Sequence, residues 1–181
     1  MCLFKTTTVD NLNENFFEVI SKEYMLITSG NKEGFNTMTA NWGGVGFLWN
    51  RPVVFIFVRP ERYTYHFIEN NDYFTLSFLG IENKEIHKIC GSKSGRDTDK
   101  IKETGLIPYE TSYGNITFEQ SRLTLECKKL YCEKLNKDRF LDEKILAKWY
   151  GDKGCLHCIY VAEIVQLLEK QEKFHNYISI K

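Results

Sequence analysis

Residues Val53 to Val58 read Val-Val-Phe-Ile-Phe-Val, six apolar side chains in a row, all β-branched or aromatic. A run this short and this uniformly apolar predicts a β-strand covered on both faces. It stops at Arg59-Pro60, because proline has no N–H to give to the next rung of a ladder. The rest of the chain must therefore supply a sheet around that strand and a second layer over it. With 181 residues, 43% hydrophobic and 27% charged, it is long enough to do so as one domain spanning residues 1–181. Three prolines and twelve glycines leave no low-complexity linker at which to divide it.

Further strands follow from the pattern of the neighbouring segments. Tyr24–Thr28 and about Phe35–Asn41 flank a polar loop with glycine at Gly30 and Gly34, which signals a hairpin. Tyr73–Leu79 alternates apolar and small polar residues. Arg122–Lys134 alternates Leu123, Leu125 and Cys127 with Thr124 and Glu126. Its apolar face then changes near Leu130 and Cys132, which predicts a bulge. His157–Leu168 reads as a last strand. Helices are expected over Asn15–Lys22, Tyr63–Glu69, Glu82–Cys90 (ended by Gly91), Asp99–Thr104 and Asp142–Trp149. Gly43-Gly44-Val45-Gly46 reads as a flexible stretch and Asn50-Arg51-Pro52 as a turn. No strand–helix unit carries G-x-G-x-x-G, which argues against a dinucleotide-binding α/β domain. The order fits a mainly β fold instead, a closed antiparallel barrel with flanking helices.

Charge excludes one class of partner. Lys and Arg number 24, as do Asp and Glu. A protein that coats nucleic acid needs a basic excess to displace counterions, so no nucleic-acid partner is expected. The longest apolar run falls far short of the ~20 residues that span a bilayer. The first residues lack the apolar core of a secretory signal, so the expectation is a cytoplasmic protein without a membrane partner. Cys127, Cys132, Cys155 and Cys158 lie in stretches that read as strand rather than the tight turns of a zinc site, and are expected to be buried free thiols. His66, His87, His157 and His175 have no ligand spacing and read as surface or packing residues. Glu163 is placed on the His157 side of its strand, where the two could pair.

Three segments carry residue types that packing alone does not require. Asn36–Gly44 sets hydroxyl and amide side chains beside Trp42 and two glycines, which suits close approach of a flat ligand. Arg59–Thr64 leaves a buried strand and opens a helix, whose free N–H groups with Arg59, Arg62 and Thr64 suit a phosphate. Cys90–Lys100 is rich in glycine, serine and basic residues that could close over an anion, without the spacing of a Walker loop.

Taken in order, NTMTANWGG (36–44), LWNRP (48–52), VRPERYT (58–64), FTLSF (74–78), CGSKSGRD (90–97) and Asp99-Lys100 resemble the flavin reductase-like FMN-binding split-barrel family, in its flavoredoxin-like branch. Weaker echoes are WYGD (149–152) and YVAEI (160–164). The resemblance implies a six-stranded antiparallel split barrel, paired as a homodimer with FMN at the subunit boundary. Carried over by position, Thr37, Met38, Thr39, Ala40, Asn41 and Trp42 would line the isoalloxazine ring. Arg59, Arg62, Tyr63 and Thr64 would hold the ribityl phosphate, and Ser77 and Phe78 would lie near the flavin. Ser92, Lys93, Ser94 and Lys100 would reach the phosphate or a nicotinamide. Asn41 departs from a common serine, and Cys155 and Cys158 fall where the family is poor in cysteine. The implied activity is NAD(P)H-dependent flavin reduction, with hydride passing from nicotinamide to flavin. The alternative is a flavoredoxin-type carrier that holds FMN tightly, has no nicotinamide turnover and serves a redox partner protein. Neither reading requires a catalytic side chain or a metal.

Overall fold

The computed structural model describes residues 3–151 and 155–171; His175 and Asp152 lie outside them. Ten strands are present in this part of the chain: β1 (Phe4–Thr7), β2 (Met25–Asn31), β3 (Gly34–Ala40), β4 (Gly43–Leu48), β5 (Arg51–Val58), β6 (Tyr73–Phe78), β7 (Pro108–Glu110), β8 (Ile116–Phe118), β9 (Leu123–Lys134) and β10 (Cys158–Lys170). The main sheet runs β3-β2-β6-β9-β10-β5-β4, with β1 paired to β10, and every pairing is antiparallel. This is the split-barrel-like, mainly β fold with flanking helices. The sheet holds eight strands rather than six, the short β1 and the glycine-rich β4 having no strand pattern in the sequence. The bulge expected near Leu130 is present: Val161 pairs with Tyr131 and Ala162 with Lys129, leaving Leu130 as the extra residue.

Two-residue periodicity sorts the core. Met25, Ile27, Phe74, Leu76, Phe78, Leu123, Leu125 and Cys127 face one interior together with Val54, Ile56, Val58 and Tyr160. On β5 Val53 is buried as well, but Phe55 and Phe57 are partly open, so that face is only half covered. The opposite face of β2, β6 and β9 is polar yet buried: Thr28, Thr75, Ser77, Thr124 and Glu126. The β7–β8 hairpin covers it and satisfies its hydroxyls. Thr117 Oγ1 meets Ser77 Oγ at 2.8 Å and Thr124 Oγ1 at 2.7 Å, and Thr75 Oγ1 donates to the Ile116 carbonyl at 2.6 Å.

Five helices flank the sheet: α1 (Phe16–Glu18, running into a π turn over Val19–Glu23), α2 (Tyr63–Asn70), α3 (Lys84–Ser92), α4 (Lys100–Thr104) and α5 (Glu143–Tyr150). Asp99 caps α4 by accepting from the Lys102 N–H, and Asp142 caps α5 by accepting from the Lys144 N–H. Gly91 does not end α3, which continues to Ser92. Arg122, at the mouth of β9, bridges Glu14 and Glu23, whose carboxylate also accepts from the Gly80 N–H. The N-terminal segment is thereby pinned to the barrel.

Of the cysteines expected to be buried, Cys127 and Cys158 are, but Cys132 and Cys155 are exposed. Cys155 precedes β10 rather than lying within it, and Cys132 follows the bulge that turns the β9 face over. Among the described residues no cluster of potential ligands could hold a metal ion. Glu163 pairs with Arg51 across the β5–β10 ladder at 2.7 Å, not with His157.

Candidate flavin site

Strand β3 and its continuation through Asn41 and Trp42 form one wall of a groove of about 310 Å³. Met38, Thr39, Ala40, Asn41 and Trp42 supply this wall, and Phe57, Arg59, Arg62, Trp149 and His157 supply the others. The sequence brings these together by ordinary means: β3 is an edge of the sheet, so its outer rim stays open, and β5 ends at Arg59-Pro60 beside it. A second cavity, of about 480 Å³, follows the other half of the same strand. It lies between Phe35, Asn36 and Thr37 and the segment from Gly95 to Ile101.

Between the two cavities stands the C-terminal end of α3, and two cations meet there. Arg62 donates to the Gly91 carbonyl at 2.7 Å and to the Cys90 carbonyl at 3.2 Å. Lys100 donates to the same Cys90 carbonyl at 3.1 Å and to the Thr37 carbonyl at 2.8 Å. Neither forms an ion pair among the described residues. Burial lowers the Arg62 pKa, and it brings Lys100 down to about 8, with Arg62 adding to the fall. Carbonyls at the negative end of a helix partly compensate both charges, but an anion in either cavity would do so more fully.

His157 lines the groove, tilted against Trp42 with ring centroids 4.9 Å apart. Its Nδ1 lies 2.9 Å from the Tyr150 hydroxyl. Burial, reinforced by Arg59, holds the imidazole pKa near 4, so the ring is neutral at pH 7. Burial also raises the Tyr150 phenol, which keeps its proton. The phenol and Nδ1 thus share one hydrogen bond between two neutral groups, its direction set by the imidazole tautomer.

The family model described as a flavin reductase like domain matches residues 17–178. The chain belongs to the flavin reductase-like family. Solved structures agree in fold. A flavin reductase-like FMN-binding domain from Shewanella baltica superposes with a TM-score of 0.65 at 15% identity, covering 96% of this chain and 80% of that one. A flavoredoxin from Methanosarcina acetivorans gives 0.63 at 20% identity, covering 91% and 77%. An NADH:FAD oxidoreductase from Streptomyces globisporus gives 0.61 at 15%, covering 82% and 75%. Among curated proteins none matches the chain.

Within this flavin reductase-like domain, the residues expected around a ring converge, with Thr37 turned toward the second cavity and the others toward the groove. Arg59 and Arg62 are at the groove. Tyr63 stands under the Arg96 guanidinium, 4.6 Å from its ring centroid. Thr64 is wholly buried and its hydroxyl accepts from Asn36 Nδ2 at 2.7 Å, so it ties α2 to β3 and offers no open hydroxyl. Ser77 and Phe78 line neither cavity. Ser77 belongs to the buried layer under Thr117, and Phe78 packs edge-on against Phe16 in the core. Ser92 donates to the Lys88 carbonyl, Lys93 pairs with Glu103 at 2.6 Å, and Ser94 Oγ accepts from the Arg96 N–H. Of that basic segment, Lys100 alone among the residues named from the sequence lines a cavity. Gly43 and Gly44 serve packing rather than ligand approach: a Cβ on either would come within 2.5 Å of Phe55.

Phe57, Trp149 and His157 are the groove residues that sequence reasoning left out. Phe57 was hidden in a run that looked buried on both faces. His157 stands alone in sequence, and its partner Tyr150 comes from a different element.

Proposed function

We propose that this domain binds FMN and acts as an NAD(P)H-dependent flavin reductase, passing hydride from nicotinamide to flavin. The observation that carries the reading is the groove, where a strand rim of backbone and small polar groups faces aromatic rings and two arginines. A flat ring with polar edges fits such walls. The flavin phosphate belongs toward the α2 start and the second cavity, which β3 joins to the groove; Arg62 at the groove and Lys100 at that cavity have no ion-pair partner among the described residues. Thr64 and Asn36 would hold the first turn of α2 so that its N–H groups, which have no acceptor within the helix, face that anion. Bound there, FMN supplies the redox chemistry, and the chain's task is to orient and tune it. Neutral His157 borders the ring region without adding charge. The reading also takes in a homodimer and a cytoplasmic setting, with the nicotinamide cofactor as a transient donor.

A second reading is a flavoredoxin-type carrier with tightly bound FMN, no nicotinamide turnover and a redox partner protein. It is favoured by the Trp42–Trp149 contact, edge-on with ring centroids 5.0 Å apart, since two indoles on one wall would leave less room for a nicotinamide beside a bound flavin. Anaerobic addition of NADH and NADPH to the FMN-loaded protein, followed at the flavin absorption band, separates the two. Bleaching within seconds is the expected result for the reductase. Reduction by dithionite alone would favour the carrier, and failure to retain or take up FMN would remove both.

A further inference from the structure

The aromatic wall of the groove does not end at the groove. Trp42, Phe57 and Trp149 also bound a third pocket, of about 300 Å³, completed by Phe140, Ile145 and Tyr150 from α5 and the segment before it. Its lining is five aromatic rings and one branched aliphatic side chain, with no ionisable cation or carboxylate. Arg59, beside the pocket, is already engaged: it donates to the Trp149 carbonyl at 2.9 Å and lies 5.7 Å from the Tyr150 ring centroid. Lys148 lies 5.1 Å from the Trp149 ring centroid and takes no part in the lining.

The rings are not packed as a closed core. Trp42 and Trp149 meet edge-on, as do Phe140 and Tyr150 at 5.5 Å, and this arrangement leaves ring faces free for a third ring. Ile145 and Trp149, one turn apart on α5, are 46% and 45% exposed, so this wall is open to solvent. The volume is at the low end for small-molecule sites and admits one or two rings, not a dinucleotide. A phosphate would find no cation among the lining residues.

We propose that the pocket beneath α5 is a second ring-binding site, taking a neutral planar aromatic molecule of one or two rings beside the groove. The geometry of binding is independent of FMN. The role as a place for the flavin's electron partner rests on the reading of the groove given above.

The test uses the full chain, with and without FMN, and isoleucine-methyl and indole NMR. Indole and benzaldehyde are the neutral probes and benzoate is the charged control. The expected result is a saturable shift of the Ile145 methyl and the Trp149 indole signal with both neutral probes. Benzoate should bind at least tenfold more weakly. Ile145→Asp, at a half-exposed position that leaves the core intact, should weaken the neutral probes at least tenfold and leave FMN affinity unchanged. The proposal is overturned if neither neutral probe saturates, if benzoate binds equally, or if Ile145→Asp has no effect on probe binding. It is also overturned if the same signals shift when the protein alone is concentrated, because a second copy then fills the pocket. FMN titration is scored separately, so a protein that binds the probes but not FMN refutes the flavin reading and leaves this one standing.

Discussion

Lys100 takes an amine into a place with two carbonyls and no carboxylate. Only 5% of the residue is exposed, and a neutral amine has two N–H donors, the number that Thr37 and Cys90 accept. The ammonium form carries a third donor that these two bonds leave over. Because the folded pKa is about 8, below the usual 10.5, the unfolded chain binds the proton more tightly between those values. Lys100 therefore contributes more stability as pH rises from about 8 to 10.5. Lys100→Met should cost within about 1 kcal/mol at pH 7, since both carbonyls keep another donor, from Asn36 and Arg62. The advantage of the native residue should grow between pH 8 and 10, measured by urea unfolding of both proteins at each pH. A constant difference would show that the amine titrates normally. That Lys100 matters was visible in the sequence through the basic Cys90–Lys100 segment and through the family resemblance; that it shares a carbonyl with Arg62 depends on α3, α4 and α2 meeting.

At the scale of elements, β4 departs furthest from its sequence pattern. Three glycines in Gly43–Gly46 look like slack, yet the segment is a strand paired in register with β5 from Gly43–Ile56 to Leu48–Arg51. Gly43 sits at φ +149°, and a Cβ there would lie 2.5 Å from the Phe55 carbonyl oxygen. Gly43→Ala should destabilise the protein by about 1–3 kcal/mol and speed hydrogen exchange across β4. Gly34, the first residue of β3, has open space where its Cβ would be. Gly34→Ala should accordingly be neutral or stabilising by up to about 1 kcal/mol. Equal losses in thermal unfolding of the two variants would mean that close approach to Phe55 is not what requires Gly43. The β7–β8 hairpin was missed for a different reason: three-residue strands are too short to show alternation, and the hairpin is held by buried hydroxyls it meets only in the folded sheet.

On the scale of the whole molecule, the β4–β5 tip presents Phe47, Leu48 and Trp49 to solvent, with Phe47 71% and Trp49 57% exposed, and Trp49 contacts Tyr131 of β9. Trp49 and Asn50 both adopt left-handed backbone, φ 50° and 59°. Hairpin turns of that kind favour Asn and Gly, so a tryptophan there carries a conformational cost. An outward aromatic kept at such a position fits the proposed homodimer, which would cover the tip. Sedimentation should show paired chains, and Phe47→Glu with Trp49→Glu should yield monomers; a wild-type monomer at micromolar concentration would contradict the proposal. The chain's own order of residues determined the apolar strand Val53–Val58, the alternating strands, the helical segments and the rim at Met38–Trp42, because each depends on period and on neighbours a few residues away. Tertiary structure alone decided that Thr64 and Ser77 are interior, that Arg62 and Lys100 share the end of α3, and that His157 and Trp149 enter the groove. Those outcomes turn on which distant side chains satisfy a buried donor or fill a gap, and that is settled only when the strands close and the helices pack against them.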